Sequence, residues 1–593
     1  MKKNQTIQLC FLIGLLAGFL CGIVPFLRIV FEQNYLKTGM YFLIAEQAVL
    51  HLGPWMAVGA IVFVVCAVIV AMLEGFSRGV CFAAAVLYCG LLLAGVFLLA
   101  PRLPGAALAR VVFFLVLPCA VLFLPRAGSW LQRRRTIIVT TALPCLLVLL
   151  AAAAWFGTQP LRSRQAEPSF VMIMVDCLRP DHLGCYGYTR DTSPTIDALA
   201  KVGWHYERAY AAAPWTKPSI ASVFSSLSSA DHGLVSPDHS ASDQMLLLAE
   251  VLRNAGYKNF FINNGNLFLK KEFNLHQGFH SYDYLPQRTR SAADLVQAFL
   301  GRVAGIGQEK FFAYLHYMDV HVPYRLNRHN TRYAEKIIKP YVPGNRATQL
   351  NELREPGDVT PQLRQYFQDL YDGQIRFVDD SIRALIQGLD SLGRLDTTIF
   401  IITADHGEEF WDHGSTEHGH SLYNELLHVP LIIVGSSIDA QRIAEPVSLI
   451  DIMPTLLDLA GIPSAHLDLK GVSVKPGSEA LSADRPLYAS GTLYGPESYC
   501  LMQADRKLIY RSSDDRGKWT LKGPYPDMGY QLFNLAQDPG EQQDLAATKE
   551  VPPVLDRQLA DYILSSPKII PPQTVHVAGK EMRRQLESLG YVQ

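Results

Sequence analysis

The sequence predicts a protein in two parts. A bundle of transmembrane helices covers residues 1–156, and an α/β domain with a mostly parallel sheet sandwiched by helices follows it. Five apolar stretches predict the bundle, because each is about as long as the ~20 residues that a bilayer-spanning helix needs. They lie at roughly 7–27, 54–73, 79–100, 107–124 and 136–156. From residue 169 onward, short apolar runs alternate with helical stretches, which is typical of a parallel sheet covered on both faces.

The five stretches are predicted to span the cell (inner) membrane, since a cleaved signal peptide would account for only the first. Lys and Arg residues beside the spans set the orientation, because basic loops resist translocation. These residues fall on one side of the predicted bundle: Lys2, Lys3, Arg78, Arg126, Arg133, Arg134 and Arg135. That side is predicted to be the cytoplasm, and five spans then place the remaining chain on the periplasmic or extracellular side. Residues 157–168 are predicted to be a polar linker.

Charge and cysteine content exclude two classes of protein. The formal net charge of −1 gives no reason to expect nucleic acid as a partner. Of the ten cysteines, only Cys177, Cys185 and Cys500 lie outside the apolar N-terminal part. The sequence therefore predicts no disulfide framework.

Acidic residues follow two of the predicted strands. The run "SFVMIMVD" ends in Asp176, and "TTIFIITADHG" places Asp405 and His406 at the end of its apolar part. A single Asp after a strand is usually a turn or helix cap. Two such strand ends meet at the sheet edge where ligands gather. Two carboxylates and an imidazole predict a divalent-metal site there, and this ligand mixture suits Mn²⁺ or Zn²⁺ better than Ca²⁺.

Thr216 precedes a predicted helix, "SIASVFSSL", with Pro218 in the first helical position. One interpretation is that Thr216 only caps that helix. A second interpretation uses the same position: a hydroxyl at a helix N-terminus meets the positive end of the helix dipole, and coordination to a metal would make it a nucleophile.

Histidines concentrate in two segments that follow apolar runs. "LHYMDVHVPY" contains His316 and His321 together with Asp319. The longer segment "ADHGEEFWDHGSTEHGHSLYNELLHVPL" contains His406, His413, His418, His420 and His428. At neutral pH an imidazole can donate a proton to a leaving alkoxide or support an anionic substrate, although some of these residues could merely cap loops.

Seven sequence blocks occur in order between about residues 168 and 545. They are "VDCLRPDHLGCYGY", "TSPTIDALAKVG", "YAAAPWTKPSIASVFSSL", "HYMDVHVPY", "TADHGEEFWDHG", "HGHSLYNELLHVPLII" and "YQLFNLAQDPGEQQDLA". Together they resemble the sulfatase branch of the alkaline-phosphatase superfamily. The resemblance implies an alkaline-phosphatase/sulfatase-like catalytic domain over 169–483, and a C-terminal subdomain and tail over 484–593 with a small antiparallel sheet.

The nucleophile position departs from the sulfatase pattern. Sulfatases resemble C-x-P-S-R there, and their cysteine or serine is oxidised to formylglycine, whereas this chain has Thr216 and, in place of the arginine, Ile220. Threonine cannot yield that aldehyde. The paired aspartates of the sulfatase calcium site are replaced by Asp176 and Cys177, and the expected Asp-Asn pair by Asp405 and His406. His420 stands where that family has a lysine.

The set Asp176, Thr216, Asp405 and His406 is similar to the metal centre of membrane-anchored lipoteichoic-acid synthases and phosphoethanolamine transferases, which also have five N-terminal spans. This second resemblance implies one divalent metal, with Mn²⁺ favoured, Zn²⁺ or Mg²⁺ as alternatives and Ca²⁺ less favoured. It also implies that Thr216 attacks a phosphoryl ester and forms a phospho-threonine intermediate.

The remaining candidate residues are assigned to substrate chemistry. His321 is predicted to be the leaving-group acid, and His420 and His418 to bind non-bridging oxygens. The predicted substrate-binding residues are Arg179, Lys217 and His316.

Three functional hypotheses follow from the sequence. The first is a phosphoryl-transferring or phosphoryl-ester-hydrolysing enzyme that acts on a membrane lipid or glycan head group. The second is hydrolysis of a sulfate or phosphonate ester by an unmodified threonine, and the third is a non-catalytic membrane scaffold. The lipid bilayer is a predicted partner, nucleic acid is not, and the sequence leaves the oligomeric state open.

Overall fold

A computed structural model describes residues 167–285, 291–325, 327–334, 338, 359–513, 528–565 and 573–574. The chain divides into two compact units, 1–165 and 166–593, and the described residues all belong to the second unit. The five predicted spans lie outside the described residues, as does the predicted linker up to residue 166. Within the described ranges, every helix is too short or too polar to cross a bilayer.

A nine-stranded sheet forms the centre of the described unit, and a second, four-stranded sheet follows it along the chain. The strands are β1 (Ser169–Val175), β2 (Trp204–Tyr210), β3 (His239–Ser240), β4 (Lys258–Asn263), β5 (Ser281–Tyr284), β6 (Phe311–Tyr317), β7 (Thr398–Thr403), β8 (Glu409–Phe410), β9 (Thr416–Glu417), β10 (His428–Val434), β11 (Gln441–Ile443), β12 (Val447–Ser448), β13 (Leu487–Ser490), β14 (Ser498–Gln503), β15 (Arg506–Arg511), β16 (Gly529–Asn534) and β17 (Gln573–Thr574).

The central sheet is mixed but mostly parallel, as predicted, because β10 is its one antiparallel strand in the described part of the chain. Its order is β11-β2-β10-β7-β1-β6-β4-β5, with β12 also paired to β2. The block β7-β1-β6-β4-β5 is parallel, but β10 is antiparallel to both of its neighbours. A parallel neighbour needs a long crossover, usually helical. Between β7 and β10 the described chain has only two-residue strands and one short helical turn, so it returns in the opposite direction.

The middle strands are buried on both faces, as their sequences predict. All seven residues of β1, and all seven of β6, are buried. A strand with both faces covered is a continuous apolar run rather than an alternating one. This burial holds the ends of β1, β6 and β7 rigidly at one edge of the sheet.

The helices of the described unit form two groups around the central sheet. They are α1 (Pro194–Ala200), α2 (Thr216–Ser225), α3 (Ser229–His232), α4 (Leu248–Asn254), α5 (Ala292–Gly305), α6 (Asn330–Tyr333), α7 (Pro361–Ser391), α8 (Asn424–Leu427), α9 (Ile452–Leu459) and α10 (Pro553–Ser565). Helix α7 contacts α1, α5 and α6, and α2 contacts α3, α4 and α9.

The second sheet is antiparallel, in the order β13-β14-β15-β16, and helix α10 packs on β14. Its small core contains Leu501, Leu508, Leu532 and Leu559. This sheet agrees with the antiparallel C-terminal subdomain that the sulfatase resemblance implies. The second sheet also contacts the domain that contains the central sheet: Ser490 N–H donates to Ala212 O at 3.1 Å.

Candidate active site

Three parallel strands bring polar side chains to one edge of the central sheet. Strand β1 is followed by Asp176, β7 by Asp405, and His316 lies near the end of β6. In the register of β1 and β6, His316 lies opposite Met174. Its Nε2 contacts Asp176 Oδ2 at 2.9 Å, and the Tyr314 hydroxyl lies 2.7 Å from its Nδ1. His316, predicted as a substrate-binding residue, therefore lies against the first carboxylate.

Thr216 is the first residue of α2, and Trp215 is the N-cap residue, so the Thr216 hydroxyl does not take the capping position. Pro218 lies in the first turn rather than at its first position, which corrects the predicted helix start. Proline is tolerated there because the first-turn N–H groups have no partner within the helix. Thr216 is completely buried. Its Oγ1 lies 3.5 Å from Asp176 Oδ2 and 3.4 Å from His406 Nε2.

His406 has a defined orientation toward Thr216. Its Nδ1 lies 2.9 Å from Gly407 O, so Nδ1 carries the hydrogen and Nε2 is left with a lone pair. Nε2 lies 3.6 Å from Asp176 Oδ1 and 3.5 Å from Asp405 Oδ2. A ring nitrogen that donates to a main-chain carbonyl while the other faces carboxylates is the usual arrangement of a metal-binding histidine.

The residues around Thr216 fit a divalent cation. Asp176, His316 and Asp405 each offer a ligand atom, and these atoms lie within 4.8 Å of one another. Asp405 Oδ2 is buried without a hydrogen-bond partner. Burial, and then the neighbouring Asp176 carboxylate, raise the pKa of Asp405 to about 8. A bound cation would supply the missing partner and offset the repulsion between the two carboxylates.

Asp176 differs from Asp405 in its surroundings. Burial alone would raise the pKa of Asp176, but the hydrogen bond from His316 and the nearby His321 outweigh burial and hold the pKa well below its usual value. Asp176 therefore stays ionised, whereas the groups around Asp405 do not offset the effect of burial on its pKa.

Cys177 contributes a thiol to the same cluster. Its φ of 64° is in the left-handed region, which non-glycine residues seldom adopt. Its Sγ lies 3.2 Å from Asp176 Oδ1 and 3.6 Å from His418 Nδ1. Burial, and then Glu408, raise the pKa of this thiol well above its ordinary value, so the sulfur is protonated at neutral pH.

Two of the predicted catalytic histidines lie together beside the thiol. The rings of His321 and His418 are 5.0 Å apart, and His418 is 4.3 Å from His406. Burial lowers the pKa of His321, but Asp176 and Glu408 raise it by more, so the net shift is upward. Burial, and then His406 and His321, lower the pKa of His418 well below its ordinary value. The pair thus provides one imidazole suited to carry a proton and one suited to stay neutral.

His420 is paired with an acidic residue. Its Nε2 lies 2.7 Å from Glu409 Oε2, and both side chains are almost fully buried. Glu409 Oε1 accepts hydrogen bonds from the main-chain N–H groups of His413 and Ser415. The second carboxylate oxygen therefore fixes the position of the His420 ring.

Arg179 and Lys217 direct their charged groups to other partners. The Arg179 guanidinium binds Asp181 and Asp412 at 2.8 and 2.9 Å. The Lys217 ammonium donates to Pro237 O and His239 O at 2.6 and 2.8 Å. It also lies 4.1 Å from the centre of the Phe273 ring. None of these contacts involves the Thr216 hydroxyl.

Asn266 belongs to the cluster, and the sequence reasoning missed it. Its Nδ2 lies 2.8 Å from Asp176 Oδ2 and 3.1 Å from Thr216 Oγ1. Its position after a strand could have indicated its role. The stretch "FFINNGN" covers the end of strand β4 and the residues that follow it, and β4 is parallel to β6 and therefore ends at the same sheet edge.

Comparison with known proteins relates residues 168–462 to one protein family. The sulfatase family model matches residues 168–462. Arylsulfatase K of Bos taurus is 33% identical over 212 residues, which is 34% of this chain and 37% of that protein. The match thus spans little more than a third of that relative's length. An arylsulfatase of Clostridium perfringens is 23% identical over 454 residues, covering 65% of this chain and 91% of that one.

A solved structure shows the same fold. The phosphonate monoester hydrolase of Agrobacterium radiobacter superposes with a TM-score of 0.54 at 19% identity, covering 67% of this chain and 95% of that one. Proteins of the sulfatase family use a divalent metal, and the cluster around Thr216 offers ligands for one. Residues 168–462 of this chain form a sulfatase-family domain.

Proposed function

We propose that this chain is a membrane-anchored metalloenzyme whose catalytic domain lies outside the cytoplasm. It transfers or hydrolyses a phosphoryl-ester group of a lipid or glycan head group, with Thr216 as the nucleophile. One observation carries the proposal: the buried Thr216 hydroxyl lies within 3.5 Å of Asp176 and 3.4 Å of His406, at the first turn of a helix. A hydroxyl in that position meets the helix dipole and a set of metal-ligand atoms together.

The metal site consists of Asp176, Asp405, His406 and the Thr216 oxygen, with Mn²⁺ the favoured ion. A divalent cation held by these residues would stabilise negative charge and would lower the pKa of the Thr216 hydroxyl. The Asp405 oxygen that has no hydrogen-bond partner supports this assignment.

The reaction begins when the Thr216 oxygen attacks phosphorus. The hydroxyl proton leaves toward Asp176 Oδ2, its acceptor at 3.5 Å. A new bond forms between Oγ1 and phosphorus, and the bond from phosphorus to the leaving oxygen breaks, with both electrons staying on that oxygen. His321 protonates the leaving oxygen, which is consistent with the raised pKa of its imidazole. An acceptor hydroxyl or water then attacks phosphorus and gives its proton to His321. The bond from phosphorus to Thr216 Oγ1 breaks, and the Thr216 oxygen regains its proton from Asp176.

The remaining predicted residues bind the substrate. His418 and His420 are assigned to the non-bridging oxygens, and His418 Nδ1 also lies 3.0 Å from Glu408 Oε1. His316 acts on the Asp176 side of the site, where it already contacts the carboxylate. Arg179 and Lys217, which the sequence assigns to substrate binding, are held by other partners: Asp181 and Asp412 pair with Arg179, and main-chain carbonyls accept from Lys217.

A second candidate function is hydrolysis of a sulfate or phosphonate ester by the same threonine. The names of the similar proteins favour it, since they include arylsulfatases and a phosphonate monoester hydrolase. The absence of a cysteine or serine at position 216 argues for the phosphoryl ester instead, because formylglycine cannot form from threonine.

The test uses the full-length protein, purified in detergent and loaded with Mn²⁺. The wild type and Thr216→Ala are incubated with phosphatidylglycerol and with phosphatidylethanolamine, and intact masses are recorded. A head-group-phosphate adduct on the wild type alone is expected. If no adduct forms and sulfate or phosphonate esters are hydrolysed instead, the second candidate replaces the first. Failure to bind metal would point to the scaffold hypothesis.

A further inference from the structure

We infer that Asn266 is a catalytic residue that orients the Thr216 hydroxyl for attack and holds the resulting oxyanion. This inference rests on the proposed function of Thr216 as the nucleophile. Asn266 is 1% exposed, and its amide lies between the nucleophile and the first carboxylate.

The direction of the Asn266 amide is fixed by its other contacts. Its Oδ1 accepts a hydrogen bond from Phe268 N–H at 2.9 Å, which caps the short 3₁₀ turn Leu267–Leu269. The oxygen therefore points away from the cluster, and the nitrogen points into it. An amide nitrogen has two hydrogens and no acceptor capacity, so Nδ2 must donate to the oxygens that it meets.

The main chain of Asn266 is held just as firmly. Asn263 Oδ1 accepts from Asn266 N–H at 2.8 Å, and Asn263 Nδ2 donates to Asn266 O at 2.8 Å. Asn263 is completely buried at the end of β4. The amide thus reaches Thr216 from a rigid strand end rather than from a mobile loop.

The hydrogen bond that Asn266 donates to Thr216 determines which acceptors can receive the Thr216 hydroxyl proton. Because Oγ1 accepts from Nδ2, one of its lone pairs faces Asn266. The hydroxyl hydrogen is then left for the two remaining acceptors, which are Asp176 Oδ2 and His406 Nε2. When the proton leaves, the Nδ2 hydrogen remains in place and its bond to the charged oxygen becomes stronger. Asn266 therefore prepares both the departure of the proton and the state that follows.

The second hydrogen of the amide binds Asp176 Oδ2 at 2.8 Å. That oxygen also contacts His316 Nε2 at 2.9 Å. Two donors on one carboxylate oxygen hold it in a single orientation, so the distance between Asp176 and Thr216 is set by Asn266 as well. Met318 Sδ, at 3.3 Å, is a third and weaker contact of Nδ2.

The test compares two substitutions that separate the donor role from the cap. Asn266→Asp keeps an oxygen for Phe268 N–H but removes both donated hydrogens. Asn266→Ala removes the donors and the cap together. For each Mn²⁺-loaded full-length protein, the rate of adduct formation on Thr216 is followed by intact mass with phosphatidylglycerol or phosphatidylethanolamine vesicles, whichever labels the wild type, or by turnover if the adduct is short-lived. Metal content and melting temperature are measured on the same samples.

We expect both variants to react about 100-fold more slowly or worse, which is typical for loss of a preorganised donor, with kcat reduced far more than KM changes. Asn266→Asp should keep wild-type metal content, but it should melt at a lower temperature than the wild type because it places a buried carboxylate beside Asp176. A wild-type rate in Asn266→Asp would show that the residue is only a cap and would overturn the inference. Loss of metal from that variant would also overturn it, because Asn266 would then act on the metal site.

Thr216→Ala separates this inference from the function on which it rests. If Thr216→Ala remains active, the proposed nucleophile is wrong and Asn266 has no oxyanion to hold. If Thr216→Ala is inactive while Asn266→Asp reacts normally, only the role of Asn266 fails.

Discussion

The Ser219 hydroxyl donates a hydrogen bond of 2.6 Å to the main-chain oxygen of Asp405. Ser219 lies in the first turn of α2, and Asp405 is the second residue after β7. The helix that carries the proposed nucleophile is therefore tied to the strand end that carries a proposed metal ligand, through a hydrogen bond that involves neither the Thr216 hydroxyl nor the Asp405 carboxylate. The distance from Thr216 to the carboxylates consequently depends on a serine that does no chemistry.

Replacing the nucleophile should separate catalysis from metal binding. We expect Thr216→Ala to lose at least about a thousandfold in turnover, since no other hydroxyl can take its place. Metal content, measured by elemental analysis, should stay at the wild-type value because Asp176, Asp405 and His406 remain. Thr216→Ser keeps a hydroxyl and is the matched control, which should retain measurable turnover. Wild-type activity in Thr216→Ala would contradict the mechanism.

Metal binding should reverse the effect of Asp405→Asn on the melting temperature relative to the wild type. In metal-free protein we expect Asp405→Asn to melt at a higher temperature than the wild type, because it removes a buried carboxylate that repels Asp176. Added Mn²⁺ should raise the melting temperature of the wild type and leave Asp405→Asn nearly unchanged. The exposed Asp390→Asn is the control and should respond to Mn²⁺ as the wild type does. An equal response of Asp405→Asn would remove Asp405 from the metal site.

The stability of the fold should decline between pH 7.5 and 9 through His413. Burial would lower the pKa of His413, but its hydrogen bond to Glu425, at 2.6 Å, raises it to about 9. An unfolded histidine titrates near 6.5, so the folded protein holds the extra proton, and its stability is lost as the pH rises through the folded value. The contribution is at most about 1.4 kcal/mol per pH unit.

Urea unfolding of His413→Asn at pH 7.5 and 9 measures that contribution. The loss of unfolding free energy with rising pH should be smaller in this variant than in the wild type. His329→Asn is the control, because burial and then Arg328 lower the pKa of His329 to about 4, so it is neutral throughout this range. A wild-type pH dependence in His413→Asn would show that the ion pair with Glu425 contributes nothing.

Lys217 should matter for folding. We expect Lys217→Met to lower the free energy of unfolding by about 1–3 kcal/mol, because it leaves the carbonyls of Pro237 and His239 without their donor. Lys258→Met is the control, since the Lys258 side chain is 38% exposed. Measuring KM in the same variant tests the predicted role in substrate binding: a KM that rises several-fold would support it, and an unchanged KM would leave Lys217 as an anchor only.

Much of the cluster was predictable from sequence, because polar residues that follow parallel strands meet at one edge of the sheet. Asp176, Asp405 and His406 end buried apolar runs, and parallel strands that end at one edge must bring such residues together. Thr216 was predictable from the helix start that follows "PWT". The direction of β10 was not predictable in this way, because an apolar strand has the same pattern whether its neighbours are parallel or antiparallel.

Residues whose role depends on distant partners were also beyond the sequence. Arg179 and Lys217 are cations beside the predicted site, but their partners Asp412 and His239 are fixed only by the folded chain. Asn266 was missed because an asparagine in a Gly-containing loop is ordinarily a turn residue. Only the contact of its amide with Thr216 distinguishes it from such a residue.

The Trp215 side chain reaches out of the catalytic domain: its indole Nε1–H donates to Gly491 O at 2.7 Å, just past strand β13. Ser229 Oγ donates to Ser490 O at 3.0 Å on the same strand. Residues 484–593 are thus not an appendage that can be trimmed for expression or crystallisation. A fragment that ends at residue 483 would leave the indole beside the nucleophile without its acceptor, so truncation at this border would disable the domain that it was meant to isolate.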